Sequence, residues 1–467
     1  MQKKTGILAA VGGMVLIALL LLALPLMNKE EQPKLEEGEI IEESFGAICT
    51  LSGAIERLEI KEEESIVLGK DEGKWVEETY PTLNYNQEAV QALITQLQVA
   101  TSEQIIHHVQ DLEKYGIREN APMLTLYNTE NEAQTLIIGG QTPNREGNYV
   151  WNETHQALYV VHYEQIEALY LKRADLMDKK LQLPKREDIN EMVIEEKDEK
   201  PIVLQKGSIK GVVGYEEWQI KDFFVDSHAV STELIESLFN QLEGLQKDGF
   251  VGAIAEYREK DLLEPTLKIT LNSDWSIQFG KTKDGSIYFT YSEEPYVYTM
   301  LEDKMRPFMN LKPIVMIRKE VYMPQLEGLE KVILKNPEES FILEVREQES
   351  PQTTTSENLE EKKSEYTGKL QEHPLTQEEL EKVLSFIGKS IRIEMLLKNP
   401  QIEQKENRKA EVTVQFDYKD GTSKCIELVP YDINFYILRV DGIVEFAASK
   451  QPVMELFGTL GEWMKKE

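Results

Sequence analysis

The sequence predicts an α+β protein: three tandem repeats of an antiparallel sheet covered by helices, after one N-terminal transmembrane helix. Three observations carry that prediction. An uncharged run rich in Leu, Ala, Val and Ile fills Ile7 to Met27, about 20 residues, the length that crosses a bilayer core as a helix. The i, i+3, i+4, i+7 spacing of an amphipathic helix occurs at Val90, Leu93, Ile94 and Leu97, again at Ile235, Leu238, Phe239 and Leu242, and again at Leu380, Val383, Leu384 and Ile387. The steps from Val90 to Ile235 and from Ile235 to Leu380 are both 145 residues. Around each helix lie alternating apolar segments joined by glycine-containing turns, the signature of locally connected antiparallel strands.

Residues 1–6 are expected in the cytoplasm, because Lys3 and Lys4 precede the apolar run and the positive-inside bias then places the bulk of the chain outside. The span covers 7–27. Its length, the lack of an A-x-A site and the position of Pro25 favour an uncleaved anchor over a signal peptide. Residues 28–43, rich in Glu, Lys and Pro, read as an acidic, solvated stalk.

The repeats are placed at 44–186, 187–318 and 319–467. Each begins with an apolar run (Ile55 to Ile60, Met192 to Ile194, Val332 to Leu334) and a second short piece: Lys74 to Val76, Glu217 to Ile220, or Phe341 to Leu343. After the helix come four strands. In the first repeat they are Met123 to Tyr127, Thr135 to Ile138, Asn148 to Trp151 and Leu158 to Val161; Asp284-Gly285, Asp420-Gly421 and Asp441-Gly442 mark turns in the other two. Shorter closing helices are expected near Tyr163 to Leu171, Leu301 to Phe308 and Gln451 to Trp463, which makes the unit β-β-α-β-β-β-β-α. In the third repeat, 350–369 and Asn399 to Ala410 read as polar loop insertions, and Thr376 with Glu379 supplies a capping box for the main helix.

Composition limits what the protein does. Of 467 residues, 83 are Asp or Glu and 52 are Lys or Arg, a net charge of -31 that repels phosphate backbones, so no nucleic-acid function is expected. Cys49 and Cys425 are too few for a disulfide framework. Gly280-Lys281-Thr282 and Gly388-Lys389-Ser390 end like phosphate-binding loops, but Trp275 and Val383 occupy the places where the preceding glycine belongs, so both read as ordinary turns. Adjacent His107 and His108, in an extended segment, point to opposite faces and chelate poorly. No catalytic, cofactor-binding or metal-ligating residue is nominated, and no cofactor is expected. Tyr149, Trp151, Tyr159, Tyr288, Tyr291, Tyr296 and Tyr298 crowd the strands, where packing is the first reading and a sugar-stacking or peptide-binding face the second.

Trp75, the Val90 to Leu97 helix, Asp111-Leu112, Tyr115-Gly116-Ile117, Pro122, Leu136 to Gly139, Tyr149-Val150 and Tyr159 to Val161 resemble a bacterial family of uncharacterised domains, DUF4340, over roughly residues 50–185. The second repeat keeps Trp218, Leu262 to Pro265 and Phe279-Gly280, and the third keeps only the pattern of elements. The resemblance implies a single-pass membrane protein with extracytoplasmic repeats, partnered with components of a gliding-type ABC transporter. It assigns no catalytic residues. The expected role is therefore membrane-anchored binding or scaffolding without enzymatic activity. The alternative is an envelope enzyme or carbohydrate-binding protein acting on wall polymers.

Overall fold

The alternating segments form antiparallel strands throughout. The computed structural model describes residues 39–42, 45–62, 64–166, 170–207, 218–257, 265–348, 365–397 and 408–464. Residues 1–6, the 7–27 span and most of the 28–43 stalk lie outside them. Among the described residues no helix is long and apolar enough to cross a membrane.

Three nine-stranded antiparallel sheets share one strand order. A three-stranded meander precedes the long helix; in the first sheet it is Ile55–Lys61, Ser65–Asp71 and Lys74–Glu77. After the helix Gln87–Val99 come a short strand, Gln104–His107, and a four-stranded meander from Met123–Asn128 to Ala157–His162. The first strands of the two meanders pair with each other, and the short strand pairs with the last one. The second sheet repeats this order around the helix Thr232–Glu243, and the third around Gln377–Ser390. The ninth strand differs. In the first sheet it is Ile40–Glu42, outside the short strand; in the others it is His228–Ala229 or His373–Leu375, outside the first meander.

Several expectations need correction. The chain is mostly β, and the predicted unit lacked both the strands Ser65–Asp71, Ile202–Lys206 and Glu365–Leu370 and the short strand after each helix. Ile40–Glu42, within the predicted stalk, is an exposed strand whose backbone pairs with Gln104–His107. The polar insertion ends earlier than predicted: residues 350–364 lie outside the described residues, but Glu365–Leu370 pairs with Ser340–Gln348. Of the second insertion, 399–407 lies outside them. Among the described residues a long closing helix is found in the third repeat, as Lys450–Trp463; the first has the single turns Tyr163–Ile166 and Arg173–Leu176, and the second has 3-10 turns and Pro313–Met316.

The predicted helix faces are buried. Val90, Leu93, Ile94 and Leu97, and their counterparts in the other two helices, are the residues each helix turns away from water. Burying each such side chain stabilises the fold by about 1.5–3 kcal/mol. Thr376 and Glu379 form the predicted capping box, while Asn86 and Ser231 cap the other helices with a side-chain oxygen. By packing, the chain divides into a unit of Met1–Lys180 with Gln246–Phe250, and a second of Leu181–Leu245 with Val251–Glu467.

Candidate functional site

In the first unit the polar chemistry is spent on holding the chain. Glu77, wholly buried, accepts hydrogen bonds from Arg173 (Nε at 3.1 Å, Nη2 at 3.0 Å) and from the Tyr85 hydroxyl at 2.6 Å. Arg173 also bonds Glu64 and the Ser65 carbonyl, and its guanidinium lies over the rings of Tyr80 and Phe250. Burial opposes the Arg173 charge, but the hydrogen bonds and charge of Glu77 outweigh it and raise the guanidinium pKa; burial, with the neighbouring Glu77 carboxylate, raises that of Tyr85. Glu77, Tyr85 and Arg173 thus face one another.

A second cluster holds the segment that enters the first sheet. The buried Gln134 accepts from the Thr50 and Leu51 amides at 2.8 and 3.0 Å, Asn152 donates to the Ile48 carbonyl at 2.9 Å, and Asn128 donates to the Ser52 carbonyl at 2.9 Å. His155 sits between the Thr50 hydroxyl and the Tyr159 phenol, 2.8 Å from each. A hydroxyl–imidazole–phenol chain resembles a nucleophile relay. Here, however, Gln134 already takes the two amides that could stabilise an oxyanion beside Thr50. The cluster ties a strap.

The second unit carries the more open chemistry. A cleft of about 190 Å³ is lined by His228, Glu445, Arg318, Glu320, Lys424 and Tyr322, among others. The His228 ring meets Phe224 and Phe446 edge-on at 5.2 and 5.1 Å. Its Nε2 lies 3.6 Å from Glu445 Oε2, while Glu445 Oε1 accepts from the Val225 amide at 2.6 Å. Burial lowers the His228 pKa, against the opposing pull of Glu445. A larger cleft, about 560 Å³, opens beside Phe223, Phe308, Pro313 and Met395. Among the described residues no group of three His, Cys, Asp or Glu is placed to hold a metal ion.

The motifs weighed in the sequence fall as follows. Gly280-Lys281-Thr282 is not a turn: it lies within the strand Trp275–Lys283, at a register shift that absorbs the extra residue. Gly388-Lys389-Ser390 is the last turn of a helix, where Ser390 donates back to the Phe386 carbonyl. His107 closes a strand and bonds Glu42, and His108 leaves it at φ 60°. Six of the seven strand aromatics are buried in packing and Tyr288 is partly buried. Cys49 and Cys425 are free thiols. Sequence reasoning missed Gln134, Asn128 and Asn152; the available signal was their place in strands, where Asn is disfavoured unless its amide has work to do.

The family model for a domain of unknown function, DUF4340, matches residues 75–261. That match supports the resemblance read from the sequence and extends it past residue 185 into the second sheet. No curated protein and no solved structure matches the chain.

Proposed function

We propose that the protein is a membrane-anchored scaffold whose sheets stand outside the cytoplasm and bind a membrane-protein partner, a component of an ABC-type transport complex. The observation that carries this reading is the building of three like sheets along the chain, with short strands at their edges, a kind of edge whose backbone can pair with another chain where nothing covers it. The polar clusters described above agree with it, since they hold segments in place. The apolar run at 7–27 supplies the anchor, and the resemblance to DUF4340 supplies the transporter. In this reading the protein positions its partner and does no chemistry of its own.

The test is in-cell crosslinking of the full chain followed by mass spectrometry. Permease or ATPase subunits attached to the described sheets are the expected result. Attachment to wall polymer instead would sink the scaffold reading in favour of an envelope enzyme or carbohydrate-binding protein.

A further inference from the structure

The three helix N-caps, Asn86, Ser231 and Thr376, stand at the same step of 145 residues as the helices they start. In the first two repeats the backbone just before the cap is covered by a later segment of the same repeat. Tyr85 bridges Met177 there, with Asn86 N–H donating to the Leu176 carbonyl at 2.9 Å and Asp178 N–H to the Asn84 carbonyl at 2.8 Å. Val230 bridges Ile317 in the same way: Ser231 N–H donates to the Met316 carbonyl at 2.9 Å, and Arg318 N–H to the Ala229 carbonyl at 2.8 Å. Each docked segment is one helical turn followed by extended chain. Its two central side chains, Leu176-Met177 or Met316-Ile317, are at most 1% exposed.

Among the described residues the third repeat has the receptor without a docked segment. His373–Leu375 is the edge strand, and among the described residues nothing pairs with its outer side. The chain runs instead into the long helix Lys450–Trp463. Between that helix and the edge lies a cavity of about 310 Å³ lined by Leu370, Leu375, Val383, Trp463 and Met464. Leu375 is only partly buried, whereas its counterparts Tyr85 and Val230 are 5% exposed. The Thr376 N–H, whose counterparts donate to a docked carbonyl, is satisfied by Glu379 of the capping box at 2.9 Å.

We propose that this cavity is a docking site for an extended peptide segment of a partner protein, one with two adjacent large aliphatic residues. The aliphatic pair is set by what fills the equivalent place twice in this chain. The residue after the pair is not set: it is Asp178 in the first docked segment and Arg318 in the second. The segment adds main-chain pairing to the edge strand and puts alternate side chains into the cavity. This inference rests on the scaffold reading and gives its partner a chemistry.

The probe is a synthetic peptide with the sequence of residues 312–319, Lys-Pro-Ile-Val-Met-Ile-Arg-Lys, carrying a photo-crosslinker beside the Met-Ile pair and offered to the full chain. Saturable binding is expected, with crosslinks on Leu375, Trp463 or Met464. Replacing the Met-Ile pair by Ser-Ser should weaken binding at least tenfold, as should Leu375→Asp. Met464→Glu, at an already exposed position, gives the same test where folding is not at risk. Crosslinks confined to the edges at Tyr85 or Val230, or no saturable binding, would overturn the proposal. So would transporter subunits that still crosslink in cells to Leu375→Asp and Met464→Glu chains at the native level, an outcome that leaves the scaffold reading standing.

Discussion

Glu77 and Arg173 lie 96 positions apart and meet in a site closed to water. A buried charge that loses its partner keeps its desolvation penalty, so Arg173→Met should destabilise the first unit by about 3–5 kcal/mol, read from urea unfolding. Adding Glu77→Leu should restore part of that loss; a double variant as unstable as the sum of the two singles would show that the residues act separately. His228 makes a prediction in pH. Burial holds its folded-state pKa below the ordinary 6.5, so the unfolded chain takes up the proton first. The stability from the neutral ring is whole above about 6.5 and is lost as the pH falls through the lower, folded value. His228→Phe should flatten the fall of the urea midpoint below pH 6.5; identical slopes would mean another group titrates there. Neither pair was legible in the sequence, because residues 96 or 217 places apart carry no local sign that their side chains will meet. The strand asparagines were the nearest thing to a sign, since a polar amide on a pleated surface needs a reason.

Among elements, the 3-10 turn Glu113–Tyr115 crosses the strand Ala133–Gln141 with almost no room between the backbones. Gly116 has φ 79°, and a Cβ there would lie 2.4 Å from the Gly140 nitrogen; one on Gly139 would lie 2.4 Å from the Tyr115 carbonyl oxygen. Gly116→Ala therefore meets both an unfavourable left-handed backbone and a clash that no rotamer relieves. A loss of about 2 kcal/mol or more is expected by thermal or urea unfolding, and a loss under about 0.5 kcal/mol would mean that the turn simply moves away. Tyr115-Gly116-Ile117 and Leu136 to Gly139, both noted in the sequence, lie on the two sides of this one crossing. The long helices were legible because their apolar faces repeat at 3.6 residues over three turns or more. The strands Glu365–Leu370 and Gln104–His107 were not: the first is polar and partly exposed along most of its length, and the second is too short for alternation to show. Closing helices were overcalled for a related reason, since one apolar turn looks the same whether the chain continues it or drops into 3-10 geometry.

At the scale of the whole molecule, a net charge of -31 sets the folded chain against itself. Raising salt from about 0.01 M to about 0.15 M shortens the screening length from about 30 Å to about 8 Å. The melting temperature should rise over that range, and a flat response would mean that the acidic residues are already paired or spread too thinly to matter. The sheets themselves keep one strand order while their ninth strands differ, which shows where the architecture is fixed and where it is free. The strap at Gly46 to Ser52 lies on the path by which the chain enters its first sheet. Gln134, Asn152 and Asn128 grip that path by its backbone, each from the strands behind it. A pull on the chain ahead of Ile40 would reach these side-chain amides before it reached the long ladder between Ile55–Lys61 and Met123–Asn128. Under such a load the short pairing of Ile40–Glu42 with Gln104–His107 and then these few side-chain bonds would yield before that ladder.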